Sequence, residues 1–344
     1  MKAVRFVGKN QPLENYEIPI PEIGANDVLI QIKAAGICHS DVNYKAGILP
    51  TAFTPITLGH EISGIIEKVG SQVTNVKIGD RVCVHYVVTC GNCVYCTSGQ
   101  EQFCPSGQMI GCKRDGGFAE YIAVPARNAV PLPAEISFEE GAIMMCSSAT
   151  SFHALIKGRI QVGDNVAVFG VGGLGQSAVQ LAKIFGANQV FAVDINPAKL
   201  DFAQKYGAIP VNAAELDVVT ELKRLTNGKG VDVALELAGL PLTQKQAIKS
   251  VGVMGRVVFV GLTTQNIEVN TYKEILGNEV ELIGANDHHL KEIYTLLEYS
   301  RNGRFDTSKL VSNRIPLEAA LINEAIDKLK EARGSEVRTV IVSG

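Results

Sequence analysis

NVAVFGVGGLGQSAVQLAKIFGANQVFAVD, residues 165–194, decides the fold. It opens on an apolar run and turns through Gly170-Val171-Gly172-Gly173-Leu174-Gly175. A helix-like stretch follows, and a second apolar run ends at Asp194. G-x-G-x-x-G by itself is a weak signal, because glycine-rich turns are common. Between a strand and a helix, with an acidic residue closing the next strand, it has the context a dinucleotide-binding fingerprint requires. Gly170 permits the tight turn, Gly172 lets a pyrophosphate approach the backbone, and Gly175 allows helix to pack closely on strand. The helix N-terminus then offers free N–H groups and a positive dipole end to the phosphates. Asp194 can accept hydrogen bonds from both ribose hydroxyls while its charge repels a 2′-phosphate, which favours NAD over NADP. The alternative is a structural turn with an unrelated aspartate.

Outward from this stretch the same texture continues. NVAVFG, QVFAVD, IPVN, VDVALELA, RVVFVG and VELIG alternate with helical segments such as PAKLDFAQKYG. Six such runs point to an α/β fold with a doubly wound parallel sheet, helices on both faces. Before it the chain is β-rich, with short apolar alternations (VLIQIKAAG, ISGIIEKVG, DRVCVHYVV) punctuated by Gly and Pro. The tail carries a strand near SNRIPL, an amphipathic helix through EAALINEAIDKLKEA and a last strand VRTVIVS. That tail is expected to pack back on the first domain. The domains expected are therefore residues 1–150 with 287–344, and residues 151–286 for the dinucleotide.

Composition bounds the rest. A chain of 344 residues, 46% hydrophobic and 19% charged, reads as a two-domain globular enzyme. A net charge of -3 without a long Lys/Arg cluster argues against a nucleic-acid partner. The N-terminus has charges and prolines where a signal peptide needs apolar residues, and no apolar run approaches the ~18 residues of a membrane span. The expectation is a cytoplasmic protein without membrane partners.

The eight cysteines all lie between Cys38 and Cys146, which reads as metal binding rather than a disulfide framework. Cys90, Cys93, Cys96 and Cys104 form C-x₂-C-x₂-C-x₇-C, suited to a closed structural zinc in the 90–104 loop. An iron–sulfur cluster is the rival, but the ferredoxin run has three residues before its last cysteine, not seven. Cys38 in GICHSD, His60 in LGHE and Cys146 in MMCSSAT are a looser set. Three scattered N/S donors would leave a zinc position open, the composition of a catalytic site, although spacing alone cannot establish it.

GICHSD, LGHEISGIIEKVG, the four-cysteine loop, GGFAEY, MMCSSAT and GVGGLG occur in an order and spacing that resemble the zinc-containing medium-chain dehydrogenase/reductase family, in its alcohol dehydrogenase branch, along essentially the whole chain. The resemblance implies a GroES-like catalytic domain joined to a Rossmann domain with the active site in the cleft between them. It also implies two zinc ions and NAD per chain, a small alcohol or carbonyl substrate, and a homodimer or homotetramer. By the match Cys38, His60 and Cys146 hold the catalytic zinc, and Glu61 is a nearby carboxylate able to replace a ligand transiently. Asp41 orients the ligand histidine, and Ser40 takes the alcohol proton. Where many members continue the proton relay with a histidine this chain has Asn43, which cannot titrate. His39 and Arg338 match pyrophosphate contacts; Thr150, Leu174 and Val260 match residues beside the nicotinamide. Lys199, just beyond Asp194, is grouped with the cofactor contacts.

Bland alternatives stand beside several of these. Glu61 and Asp41 could be surface charges, Arg338 a plain surface arginine, and Tyr86 either a pocket wall or a core residue. Cys83 and Cys112 read as buried small residues. His288-His289 is read as a pair without ligand partners. Polyol and threonine dehydrogenases of the family typically carry Gly at position 39 and a glutamate as third ligand, so His39 and Cys146 favour the alcohol branch. The other function readings are a polyol, cyclic or CoA-linked hydroxy substrate, and a non-catalytic NAD- and zinc-binding scaffold.

Overall fold

The computed structural model describes residues 1–331 and 337–343. The chain divides into two compact units, Met1–Ser147 with His289–Gly344, and Ser148–His288. The expected break at 150/151 thus falls at 147/148, and that at 286/287 falls at 288/289.

In the first unit, among the described residues, seven strands form one sheet centred on Asp27–Gly36. Glu61–Val69 runs antiparallel along one edge of that strand. The other edge is shared: Tyr121–Pro125 pairs with its first half and Arg338–Val342 with its last three residues. The tail strand is thereby built into the sheet, and Val311–Pro316 pairs parallel to it in turn. Ile30, Ile32, Ile62, Ile66, Val82, Val84 and Phe118 fill the core. Burying each such side chain contributes about 1.5–3 kcal/mol. The helix Ala319–Lys330 presents Ile322 and Ile326 to that core. Ala332, the last residue of the expected helical segment, lies outside the described residues.

The second unit carries the six expected strands as one parallel sheet, counted over the described residues. Their order is Ile209–Asn212, Gln189–Asp194, Asn165–Phe169, Val231–Glu236, Val251–Phe259, Glu281–Gly284. In chain order this is 3-2-1-4-5-6, the doubly wound arrangement whose direction reverses beside the first strand. Helices cover the faces, so Val166–Phe169 and Val190–Ala192 have no exposed surface, and their sequences are near-continuous apolar runs. The fifth strand begins at Val251, five residues before the expected RVVFVG, and a register irregularity between Val231 and Val233 accommodates it.

The strand-to-helix turn follows from its glycines. Gly170 has φ +87°, a conformation side chains rarely adopt. Gly172 caps the helix Gly173–Ile184 with open space around it. A Cβ on Gly175 would collide with the carbonyl oxygen of Gly170. Gly175→Ala is therefore expected to cost about 1–3 kcal/mol as an overpacked contact. Gly172→Ala should leave the urea unfolding midpoint unchanged. Equal midpoints for the two variants would contradict the packing.

Candidate functional site

Cys38, His60, Glu61 and Cys146 come from three separated segments of the first unit. Cys38 is the N-cap of the helix His39–Lys45, directly after the strand Asp27–Gly36. His60 and Glu61 sit where Glu61–Val69 begins, after Gly59 at φ +90°. Cys146 lies inside a π-helical turn, Met144–Ser148, a wide turn that recurs at functional sites. All four residues are buried, and one donor atom from each falls within 4.8 Å of the others.

The geometry permits a test of fit. Cys38 Sγ and Cys146 Sγ are 3.9 Å apart. Two sulfurs at the Zn–S length of about 2.3 Å, at tetrahedral angles, stand about 3.8 Å apart, whereas a disulfide needs about 2.05 Å. The donor set fits zinc with His60 as third ligand. The hydrogen bond shared with the Cys146 thiol and, with it, His60 hold the Cys38 thiol well below its usual pKa. Burial opposes charge on His60, yet the hydrogen bond and charge of Cys38, aided by Asp41 and Glu61, push its pKa up to about 9. A bound metal would replace the proton that these two groups otherwise share.

Neither Asp41 nor Glu61 is a surface charge. Asp41 is fully buried; Oδ2 accepts from Cys38 N–H at 2.8 Å, while Oδ1 is buried without a partner. Burial raises its carboxyl to about 6. Its contact is therefore with the backbone of a ligand, and the hydrogen bonds formed do not include one to His60. Glu61 Oε2 accepts from Arg338 Nη2, and Oε1 is buried without a partner. Burial raises Glu61 to about 7, with the Arg338 cation opposing.

Arg338 is correspondingly no surface arginine: it is 5% exposed, on the tail strand beside Gly36 and Ile37. Glu61 pairs across the sheet with Gly36, and a Cβ there would run into the Glu61 carboxylate. The glycine of GICHSD is thus required by Glu61, a signal that sequence reading passed over. Tyr86 is buried with its ring edge-on to His60, centroids 5.0 Å apart, so it fixes the imidazole plane.

Ser40 Oγ lies 3.8 Å from Cys38 Sγ and is half-buried. Asn43 stands three residues on, along the same helix face, and His39 is exposed. Cys83 is buried, and burial lifts its thiol to about 12, as suits an inert packing residue. His288-His289 is not isolated: His288 Nδ1 is 3.0 Å from Asp287 and His289 Nδ1 is 3.3 Å from Glu292. His289 and Glu292 together cap the helix Leu290–Arg301.

The four-cysteine loop is a second cluster. Cys93–Cys96, Cys90–Cys104 and Cys90–Cys96 sulfurs are 3.5, 3.6 and 3.9 Å apart, again near the edge of a zinc–sulfur tetrahedron. Backbone N–H groups of Asn92 and Cys93 lower Cys90 to about 6. Four thiol donors at these spacings suit a closed structural site.

In the second unit Asp194 closes its strand with Oδ2 accepting from Val171 N–H and Oδ1 from Asn196 N–H, both at 2.9 Å. Each oxygen keeps a lone pair for a ribose hydroxyl. Leu174 is tethered by Ser151 Oγ, which donates to its carbonyl at 2.8 Å. Thr150 is buried in the helix Ala149–Lys157, and Lys199 is half-buried with its carbonyl accepting from Gln176. Val260 follows the fifth strand, its N–H donating to the Glu236 carbonyl. Open space at Gly172, a free helix N-terminus and Asp194 at the next strand end together fit a dinucleotide.

Similar proteins agree with this geometry. Residues 24–134 match the family model of the alcohol dehydrogenase GroES-like domain, and residues 173–299 match that of the zinc-binding dehydrogenase. The chain is 36% identical over 331 residues to the alcohol dehydrogenase of Geobacillus stearothermophilus, covering 96% of each. It is equally 36% identical, over 306 residues, to the sorbitol dehydrogenase of Bacillus subtilis, covering 88% of this chain and 86% of that one. The crystal structure of the alcohol dehydrogenase of Aeropyrum pernix superposes with a TM-score of 0.92 at 32% identity over the whole of both chains.

Two bound zinc ions per chain are expected by elemental analysis, falling to one in Cys93→Ser and to one in Cys146→Ser. Because protons compete for the same sulfurs and imidazole, zinc should be lost as pH falls. A wild-type chain with a single zinc, or a Cys146→Ser variant that keeps two, would contradict the two clusters.

Proposed function

The chain belongs to the zinc-containing medium-chain dehydrogenase family, and from that premise we propose that it is an NAD-dependent alcohol dehydrogenase, exchanging hydride reversibly between a primary or secondary alcohol and NAD. The observation that carries this reading is the convergence of Cys38, His60 and Cys146, with the Ser40 hydroxyl beside them. When bound, zinc would polarise the substrate oxygen and NAD would exchange the hydride.

The chain's own residues supply the rest. Ser40 Oγ accepts the hydroxyl proton of the alcohol and passes its own onward. Asn43 orients that exit and carries no proton, so the proton passes directly from Ser40 to water or to another group. Asp41 holds the Cys38 backbone and with it the first turn of the helix that carries Ser40. Arg338 keeps Glu61 paired, which holds that carboxylate back from permanent ligation. Asp194 selects an unphosphorylated ribose by charge, and the Gly172–Gly175 turn receives the pyrophosphate.

Zinc-family dehydrogenases act on small molecules, but the alcohol is open. The equal identity to a sorbitol dehydrogenase supports a polyol as the second reading. Against it stand His39 and the thiolate ligand Cys146, where the polyol enzymes typically carry glycine and glutamate. No helix among the described residues is long and apolar enough to cross a membrane. A homodimer or homotetramer is the assembly the family resemblance supports.

A rate panel of primary, secondary and cyclic alcohols and sorbitol, each with NAD and NADP, tests the reading. Turnover is expected with NAD and a simple alcohol, and Ser40→Ala should cut kcat by roughly 10²-fold or more, the scale of a lost proton-transfer partner. Asn43→His should change the pH profile. Preference for NADP or for sorbitol would replace the proposal, and an unimpaired Ser40→Ala enzyme would remove the relay.

A further inference from the structure

Glu236 ends the strand Val231–Glu236 and is fully buried. In register it stands between Phe169, whose chain runs on into the Gly170 turn, and Phe259, whose chain runs on into Val260. An acidic side chain in such a place needs partners. Glu236 finds them for one oxygen, Oε1, by turning back on its own strand end, while Oε2 is buried without a partner. Oε1 accepts from the N–H of Ala238 at 3.0 Å and of Gly239 at 2.9 Å, and from Thr243 Oγ1 at 2.7 Å. Its backbone carbonyl meanwhile accepts from Val260 N–H at 2.9 Å and Gly261 N–H at 3.0 Å.

The carboxylate thus ties down one connection, 237–240, and the backbone carbonyl, which any residue at 236 would offer, holds a second, 260–262. They also press on one another: a Cβ on Gly239 would fall 2.6 Å from the Leu262 oxygen, and one on Gly261 would collide with Gly239 N. On the other side Ala238 Cβ lies 3.1 Å from where a Gly170 Cβ would be, and Leu237 N–H donates to Phe169 O at 2.9 Å. The strands Asn165–Phe169 and Val231–Glu236 are neighbours at the point where the sheet order reverses. Open α/β sheets bind ligands at that point, beyond the carboxyl ends of the strands.

We propose that the Glu236 side chain is a positioning group that clamps the 237–240 connection, and through its packing against 260–262 that connection too, into the wall of the nicotinamide half of the dinucleotide site. This rests on reading the second unit as NAD-binding. The adenosine half is held elsewhere, by Asp194 at the end of Gln189–Asp194, which lies beyond Asn165–Phe169 in the sheet, and does not depend on the clamp. Releasing the clamp makes the wall pay its ordering entropy on binding, and only a ligand that reaches the wall feels it.

Titration of NADH and of ADP-ribose, which lacks the nicotinamide, separates the two halves. In Glu236→Ala the NADH dissociation constant should rise roughly tenfold while that of ADP-ribose changes less than about threefold. Glu236→Gln, which keeps an oxygen for the two N–H donors, should stay within about threefold of wild type for both ligands. Should the alanine variant fail to fold, Thr243→Val removes one donor and leaves the carboxylate, and is expected to show a smaller loss confined to NADH. Equal weakening of both ligands, or unchanged NADH binding, overturns the clamp. A wild-type protein that binds neither NADH nor ADP-ribose overturns the dinucleotide reading itself, and this inference with it.

Discussion

Two thiols, an imidazole and a carboxylate meet within 4.8 Å of one another in the buried interior of the first unit. Unpaired, such a group of ionisable side chains is strongly disfavoured away from water. The structure answers in two ways. Cys146 and His60 beside Cys38 favour its thiolate, and Arg338 pairs with Glu61. A divalent cation satisfies the same lone pairs more completely, and the 3.9 Å between the two sulfurs is the spacing it needs.

Much of the surrounding architecture serves that convergence. The Asp27–Gly36 strand delivers Cys38 at its exit, and its antiparallel partner delivers His60 and Glu61 at the same end. The tail strand is inserted on the opposite edge, so Arg338 reaches Glu61 across 277 residues of sequence. Gly36 leaves room for the carboxylate between them. The π-turn at Met144–Ser148 sets Cys146 opposite Cys38. Second-tier contacts, from Asp41 to the Cys38 backbone and from Tyr86 to the His60 ring, keep the donors from rotating away.

What was legible in the sequence was what is local. The central strands Asn165–Phe169, Gln189–Asp194 and Val231–Glu236 are buried along nearly their whole length, so each appears as an apolar run, and the glycine turn follows the first of them; the edge strand Glu281–Gly284 is largely exposed. The four-cysteine loop closes within fifteen residues, so its spacing carries its chemistry. The open cluster is different. Its donors are far apart along the chain, and only resemblance to a family joined Cys38, His60 and Cys146 before the fold was seen. Arg338 was open between cofactor contact and surface residue because nothing near it in sequence mentions Glu61. Glu236 passed unnoticed for a related reason: its partners are mostly backbone N–H groups, which every residue but proline has.

The account stands or falls on the open cluster, and anomalous diffraction from zinc-loaded crystals at the zinc absorption edge tests it most directly. Two peaks per chain are predicted. One lies among Cys90, Cys93, Cys96 and Cys104, with four sulfurs at about 2.3 Å. The other is held by Cys38, His60 and Cys146, with its fourth position turned away from protein donors. No second peak, or a second peak enclosed by four protein ligands with Glu61 permanently among them, would contradict it.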